Sequence, residues 1–151
     1  MNHNEIINKL PYREPFLFVD ELVHLNENGV KGCYTFKGDA DFYKGHFKGT
    51  PVTPGVLLTE CCAQIGVVAL GIYLMSLEEE SAMQQDLQIG LSSSEMEFYK
   101  PVYPDELVTV TSEKQYHRFN KLKCKVNMHN EAGELVCKGI IAGMLKPTKN
   151  A

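Results

Sequence analysis

The stretch that decides the fold is VLLTECCAQIGVVALGIYLMSL, residues 56–77, which is almost entirely apolar. By length alone it could cross a bilayer as a helix. However, Glu60 and Gln64 lie inside it and would be costly in lipid, and three glutamates follow it with no basic cluster. A helix that is apolar on all sides also suits the centre of a folded domain. We therefore expect a buried helix and no membrane span.

The size and composition of the chain agree with this interpretation. A chain of 151 residues, 44% hydrophobic and 23% charged, has the size and balance of one soluble globular domain. A net charge of -4 argues against a nucleic-acid partner. Five cysteines, including the adjacent Cys61 and Cys62, fit reduced thiols, and the N-terminus has no apolar core typical of a signal peptide. We expect a single cytoplasmic domain over residues 1–151.

Elsewhere the pattern predicts a short helix and mostly strands. Thr53 is expected to cap the long helix and Pro54 to be its first residue. A hairpin turn is expected at Asn28-Gly29 and another turn at residues 130–133. The expected short helix is at 4–9, and the expected strands are at 16–25, 30–36, 85–98, 107–119, 122–129 and 134–145.

One apolar helix among long strands indicates the architecture. A curved antiparallel sheet of about six strands can wrap such a helix on one side. The other side of the helix stays partly uncovered, and a second copy of the chain is the natural cover, because closed symmetric dimers are the commonest oligomers. The sequence thus predicts an α+β domain that dimerises.

Residues able to carry chemistry gather around the start of this helix. His46 lies in a loop beside a glycine and aromatic residues, where a neutral imidazole can act as a base near pH 7. Glu60 lies in an apolar helix, where burial would keep its carboxyl protonated as an acid. Backbone N–H groups near Gly55 could polarise a carbonyl oxygen. This set fits removal of a proton next to a carbonyl with loss of a β-hydroxyl.

Each of these residues also has a structural alternative. A lone histidine in a loop is more often structural than catalytic. Gln64 shares a helical face with Glu60, so it either orients that carboxyl or satisfies a polar interface. The scattered histidines show no metal-ligand spacing, so we expect no metal site.

The same cluster closely resembles a known family, the β-hydroxyacyl-acyl-carrier-protein dehydratases of the hot-dog fold. The likeness runs from about Leu10 to Leu145. Its motifs are Leu10-Pro11-Tyr12-Arg13-x-Pro15-Phe16-Leu17-x-Val19-Asp20, Tyr43-Lys44-Gly45-His46-Phe47, Pro51-x-x-Pro54-Gly55-Val56-Leu57, Glu60, Ala63-Gln64 and Phe98-x-Lys100-Pro101-Val102-x-Pro104.

The resemblance implies dehydration of a 3-hydroxyacyl thioester to a trans-2-enoyl thioester, in fatty-acid or related acyl-chain synthesis, without metal or organic cofactor. It implies that His46 takes the α-proton, that Glu60 protonates the departing hydroxyl, and that the Gly55 N–H holds the thioester carbonyl. The His and the Glu of one site would come from different subunits. The implied substrate-binding residues are Gly55, Gln64, Phe47 and Val56.

The resemblance also implies an acidic acyl carrier protein as partner, and a homodimer or a trimer of dimers. The chain departs from the family pattern at Lys48, where proline is usual, and at Glu95 and Glu97, where the family is commonly basic. A cluster of cations on one predicted hairpin is either a solvated face or another dock for the carrier: Lys114, Arg118, Lys121, Lys123 and Lys125. Rival functions are an acyl thioesterase on the same fold and a non-catalytic acyl-binding partner.

Overall fold

The computed structural model describes residues 1–78 and 87–147. Helix α1 is His3–Lys9, and one long central helix runs over Gly55–Glu78. The strands are β1 Glu21–Asn26, β2 Gly29–Thr35, β3 Leu87–Phe98, β4 Leu107–Arg118, β5 Lys121–Asn130 and β6 Leu135–Pro147. The predicted strand over 85–98 is confirmed from residue 87, and its first two residues lie outside the described part.

The strands form one six-stranded antiparallel sheet in the order β1-β2-β4-β5-β6-β3. The predicted hairpin turn at Asn28 is confirmed, with Asn26 pairing Gly29 across it. Strands β4 and β5 meet in a second two-residue hairpin, because Arg118 pairs with Lys121. Its two turn residues, Phe119 and Asn120, have positive φ angles of 53° and 62°.

The sheet wraps the central helix because its strands alternate buried and exposed residues. Residues on the inner faces of β4 and β5, such as Val110, Leu122 and Val126, are fully buried. The helix is long and apolar enough to cross a membrane, yet 72% of its most apolar window is buried inside the protein. This confirms the prediction of a hot-dog arrangement, with the apolar run as a core helix.

The sequence pattern predicts one uninterrupted α-helix, but the central helix is not α-helical throughout. It is α-helical over Gly55–Ala63, π-helical over Gln64–Ala69 and α-helical again over Leu70–Glu78. A π-turn contains one extra residue and interrupts the regular ladder of hydrogen bonds. The buried Ser112 of β4 donates from Oγ to the Gly66 carbonyl over 2.8 Å, so the sheet supplies a partner inside the π-helical segment.

Two local predictions were wrong. The first strand begins at Glu21 rather than at residue 16, because the backbone of Phe16 and Phe18 pairs with a helix side chain instead of a strand. Thr53 is not the helix cap. Its side chain instead shares a hydrogen bond of 2.6 Å with the Tyr43 hydroxyl, and the helix begins one residue later than predicted, after Pro54.

Strand β3 forms one edge of the sheet and pairs only with β6 in the described part of the chain. Most of its residues are exposed on both faces, unlike those of β4 and β5. Leu91 and Phe98 on this strand are 61% and 48% exposed, and Val56 at the helix start is 77% exposed. Exposed apolar side chains therefore lie on β3 and at the start of the helix. Residues 61–72 of the helix are all buried, so the open side that we predicted is limited to its N-terminal turns.

Candidate active site

The side chain of Gln64 fixes the carboxyl group of Glu60 from one helical turn away. The Gln64 Nε2 donates to Glu60 Oε2 over 3.0 Å and to the Phe16 carbonyl over 2.9 Å. Its Oε1 accepts from the Phe18 N–H over 2.8 Å. Gln64 is fully buried, so these three bonds satisfy a polar group that would otherwise be costly in the core. Of the two alternatives for Gln64, the structure thus shows both: it contacts the carboxyl and it joins two segments.

Partial burial changes the acidity of Glu60. Desolvation disfavours the charged carboxylate and raises the pKa of Glu60 above its usual value, while the hydrogen bond from Gln64 opposes this and lowers it. The desolvation effect is the larger of the two. A carboxyl in this setting keeps its proton to higher pH than an exposed one, which suits a general acid.

Glu60 faces a cavity of about 180 Å³ between the central helix and the sheet edge formed by β6 and β3. Apart from Glu60 and Tyr12, every residue that lines it is either apolar or a glycine. The cavity is lined by Val67 and its neighbours on the helix, by Ile141 on β6 and by Leu91 on β3, and the N-terminal segment closes it with Tyr12 and Phe16. A mostly apolar cavity with one carboxyl in its wall suits an acyl chain, and the carboxyl can protonate an oxygen atom held beside it.

His46 lies in the loop before the central helix and is half-buried. Its Nδ1 is 2.8 Å from the Val52 carbonyl oxygen. A carbonyl only accepts hydrogen bonds, so Nδ1 carries the proton, and Nε2 of the neutral ring is left able to accept one. The Val52 N–H returns a bond of 2.9 Å to the His46 carbonyl, and the Phe47 ring stacks 4.0 Å from the imidazole. The loop therefore leaves Nε2 as the ring nitrogen that is free to accept a proton when the ring is neutral.

The start of the central helix offers free backbone donors. Leu57 and Leu58 both donate to the Pro54 carbonyl, whereas the N–H groups of Gly55 and Val56 bond to nothing in the described residues. An added Cβ on Gly55 would lie 3.5 Å from the Phe98 ring, so this helix end abuts the end of strand β3. The N–H groups at this end can therefore receive a carbonyl oxygen.

One chain does not bring all the predicted residues together. Glu60 and Gln64 share the cavity wall, but in the described part of the chain neither His46 nor Phe47 lines that cavity. Phe47 instead borders an open surface depression with Val52 and Tyr103. Val56 is exposed at the helix start. A single chain thus holds Glu60 and His46 in two separate places.

The sequence pattern missed Tyr12 as a residue of the cavity. It was quoted only as part of an N-terminal motif, and nothing in its spacing from Glu60 indicates that the two face each other. The structure explains why the N-terminal motif and the helix motif occur together: Gln64 of the helix bonds to the Phe16 carbonyl, which brings the segment of Tyr12 next to Glu60.

The remaining candidate groups have structural roles. Cys61 and Cys62 are fully buried, and burial is the main reason that the pKa of the Cys61 thiol is raised well above its usual value, which makes it a poor nucleophile. No group of three or more His, Cys, Asp or Glu side chains in residues 1–78 and 87–147 is arranged to hold a metal ion.

Comparisons with known proteins agree with this geometry. The chain matches the FabA-like domain over residues 10–140. It is similar to the 3-hydroxyacyl-acyl-carrier-protein dehydratase FabZ of Caldicellulosiruptor saccharolyticus, at 32% identity over 142 residues, which cover 93% of this chain and 96% of the relative.

Solved structures share the fold at low identity. The dehydratase heterocomplex ApeI:P from Xenorhabdus doucetiae has a TM-score of 0.75 at 12% identity, covering 95% of this chain and 91% of the other. A mutant thioesterase from Pseudomonas aeruginosa has a TM-score of 0.66 at 9% identity, covering 98% and 96%. Such likenesses show the hot-dog fold alone, since one fold hosts several reactions. The sequence matches go further: the chain belongs to the FabA-like family.

Proposed function

We propose that this protein dehydrates 3-hydroxyacyl thioesters to trans-2-enoyl thioesters in fatty-acid or related acyl-chain synthesis. The observation that carries the proposal is Glu60, a carboxyl held by Gln64 in the wall of an otherwise almost wholly apolar cavity. Similarity to a dehydratase along nearly the whole chain supports the same reaction. One domain, taken as residues 1–151, is proposed to supply every residue type that this chemistry needs, although not all of them to the same cavity.

The proposed reaction is an acid–base elimination. The Nε2 of His46 removes a proton from C2, and the electrons of that C–H bond form the C2=C3 double bond. The C3–O bond breaks as Glu60 gives its proton to the departing hydroxyl, which leaves as water. The N–H groups at Gly55 and Val56 hold the thioester oxygen while negative charge builds on it. Proton exchange with solvent then restores His46 and Glu60. Gln64 orients the acid, and Phe47 packs beside the base.

The complete site is proposed to form between two copies of the chain. The cavity of Glu60 reaches the exposed edge strand β3 through Ile89, Gly90 and Leu91. Pairing of β3 with its counterpart would cover Leu91 and Phe98 and bring the His46 loop of one copy to the cavity of the other. The separation of His46 from that cavity within one chain supports this arrangement. A trimer of such dimers stays a prediction.

The substrate is proposed to arrive on an acyl carrier protein that docks at the hairpin between β4 and β5. Arg118, Lys121 and Lys123 lie there, and none of them forms an ion pair in the described residues. Phe119 at the tip is 89% exposed, so an apolar contact stands among the cations. A basic surface with an apolar centre suits an acidic protein partner.

The test of the reaction is to incubate the protein with a 3-hydroxyacyl thioester and follow two products. Enoyl absorbance with no free thiol is the expected result. Release of free thiol without enoyl absorbance would identify a thioesterase, which the similarity in fold alone leaves as the second candidate. Binding of the thioester with neither product would identify a non-catalytic acyl-binding protein.

The protein is proposed to act in the cytoplasm. Two features support this: the apolar helix is mostly buried within the fold, and all five cysteines are free thiols. Fractionation of cells that express the chain would test the proposal, and we expect to find the protein in the soluble fraction.

A further inference from the structure

The cavity of Glu60 contains a second polar side chain, the phenol of Tyr12. The other lining residues are apolar side chains or glycines from the N-terminal segment, the helix, and strands β3 and β6. The Tyr12 hydroxyl makes no hydrogen bond to any group in the described part of the chain, although the residue is half-buried. An oxygen atom of a ligand in this cavity can therefore contact two polar groups, the Tyr12 hydroxyl on the N-terminal segment and the Glu60 carboxyl on the helix.

The position of Tyr12 is set by the same contacts that orient Glu60. The rings of Tyr12 and Phe16 lie 6.3 Å apart, and the Phe16 carbonyl accepts from Gln64, which also holds Glu60. The Phe16 and Phe18 rings pack edge to face at 5.0 Å. One buried glutamine thus connects the phenol-bearing segment to the helix that carries the carboxyl.

The phenol is a hydrogen-bond donor at any working pH. Burial, followed by the nearby charge of Glu60, raises the pKa of Tyr12 to about 12. Tyr12 therefore keeps its proton and donates it in a hydrogen bond, while Glu60 is the group able to transfer one. A hydroxyl oxygen on the substrate can accept from both at once, because it has two lone pairs.

We propose that Tyr12 is a substrate-binding residue that donates a hydrogen bond to the 3-hydroxyl oxygen and thereby selects acyl chains that carry oxygen at C3. This inference rests on the proposed dehydratase function. The bond persists as the C3–O bond breaks and the oxygen leaves as water, with its new proton supplied by Glu60 and none by Tyr12. An acyl chain without that oxygen leaves the phenol unpaired in an apolar cavity, which is costly.

The experiment compares two ligands on the Tyr12→Phe variant, which lacks only the hydroxyl. One ligand is a 3-hydroxyacyl amide, in which an amide replaces the thioester so that binding is measured without turnover. The other is the same acyl amide without the 3-hydroxyl. Loss of one hydrogen bond should weaken binding of the hydroxylated ligand about tenfold and leave binding of the other unchanged or tighter. Tyr73→Phe is the matched control, because Tyr73 is also half-buried but does not line the cavity.

Two results would overturn the inference. An equal change for both ligands, or no change for either, means that Tyr12 only packs against the cavity. A shift of the alkaline limb of kcat/KM with unchanged ligand preference means that the phenol acts on Glu60 instead of on the substrate. Failure of the reaction itself is separable, because the unaltered protein would then yield no enoyl product from any 3-hydroxyacyl thioester.

Discussion

Gln64 donates a hydrogen bond of 3.0 Å to the carboxyl of Glu60 and at the same time pairs with the backbone of Phe16 and Phe18. The acid of the proposed reaction and the path of the N-terminal segment therefore depend on one buried amide. Stability and catalysis are coupled at this residue, and this coupling gives the first prediction.

Replacement of Gln64 by leucine keeps the volume but leaves the Phe18 N–H and the Phe16 carbonyl without partners. We expect a loss of about 2–4 kcal/mol in the free energy of unfolding, measured by denaturant titration. Gln115→Leu, at an exposed position of β4, should change it by less than about 0.5 kcal/mol. Equal stability of the two variants would show that the three bonds of Gln64 add nothing.

Glu60→Gln should stabilise the folded protein at pH 7. Burial raises the pKa of Glu60 in the folded state above its pKa in the unfolded state. The free energy of unfolding that depends on the protonated carboxyl is therefore fully present below the unfolded-state pKa, and it is lost as pH rises through the folded-state pKa. A glutamine carries no charge at any pH, so its advantage should appear near neutrality and vanish in acid. Thermal unfolding at both pH values measures this, with Glu131→Gln in the exposed β5–β6 turn as the control. An unchanged Tm at pH 7 would contradict it.

His46→Ala and Glu60→Gln should each lower turnover of a 3-hydroxyacyl thioester at least about a hundredfold without dissociating the proposed dimer. When the two variants are mixed in equal amounts and exchange subunits, half of the dimers pair one of each. Each mixed dimer contains one intact site of two, so about a quarter of the original activity should return. No recovery, with exchange demonstrated, would refute a site shared between copies.

Charge reversal of Lys121 and Lys123 together should raise the KM for a carrier-bound substrate about tenfold or more and leave a small pantetheine thioester unaffected. The effect should diminish at high salt, because screening weakens the interaction in the unaltered protein. Reversal of Lys9 and Lys31 changes the net charge equally at other surfaces and serves as the control. Unchanged affinity for the carrier after the hairpin reversal would remove this docking surface.

Gly66→Ala should destabilise the protein by about 1–3 kcal/mol, because an added Cβ would lie 2.9 Å from Val126 and 3.1 Å from the Ser112 side chain. Gly90→Ala has open space around the new atom and should cost far less in unfolding free energy. Similar unfolding free energies for both variants would show that the π-helical segment can move away from the sheet.

Much of the fold was predictable because its strongest signals are local. The apolar run gave the central helix, and alternation gave the long strands to within about two residues at most ends. The π-helical turn was not predictable, because it depends on Ser112, a residue far along the chain whose hydroxyl meets the Gly66 carbonyl. The strand expected from residue 16 failed for the same reason, since Gln64 competes for its backbone.

The candidate site was predictable in part. A glutamate and a glutamine one turn apart in an apolar helix left two roles open for the glutamine, and one of them, a contact with the carboxyl, is present in the structure. Tyr12 could not be found this way, because its approach to Glu60 is a tertiary contact between segments separated in sequence. His46 does not line the cavity of Glu60 within one chain. The proposed site therefore needs a second chain, and the sequence pattern alone does not position one.

The open edge of β3 has a consequence for the life of the newly made chain. A long strand with unpaired backbone and exposed apolar side chains can recruit any extended peptide, including the same strand of other unfinished molecules. Until a second folded copy arrives, the chain is therefore at risk of aggregation. We expect recovery of soluble protein to depend on how quickly two copies meet, so that the proposed dimer would protect the protein as well as complete its site.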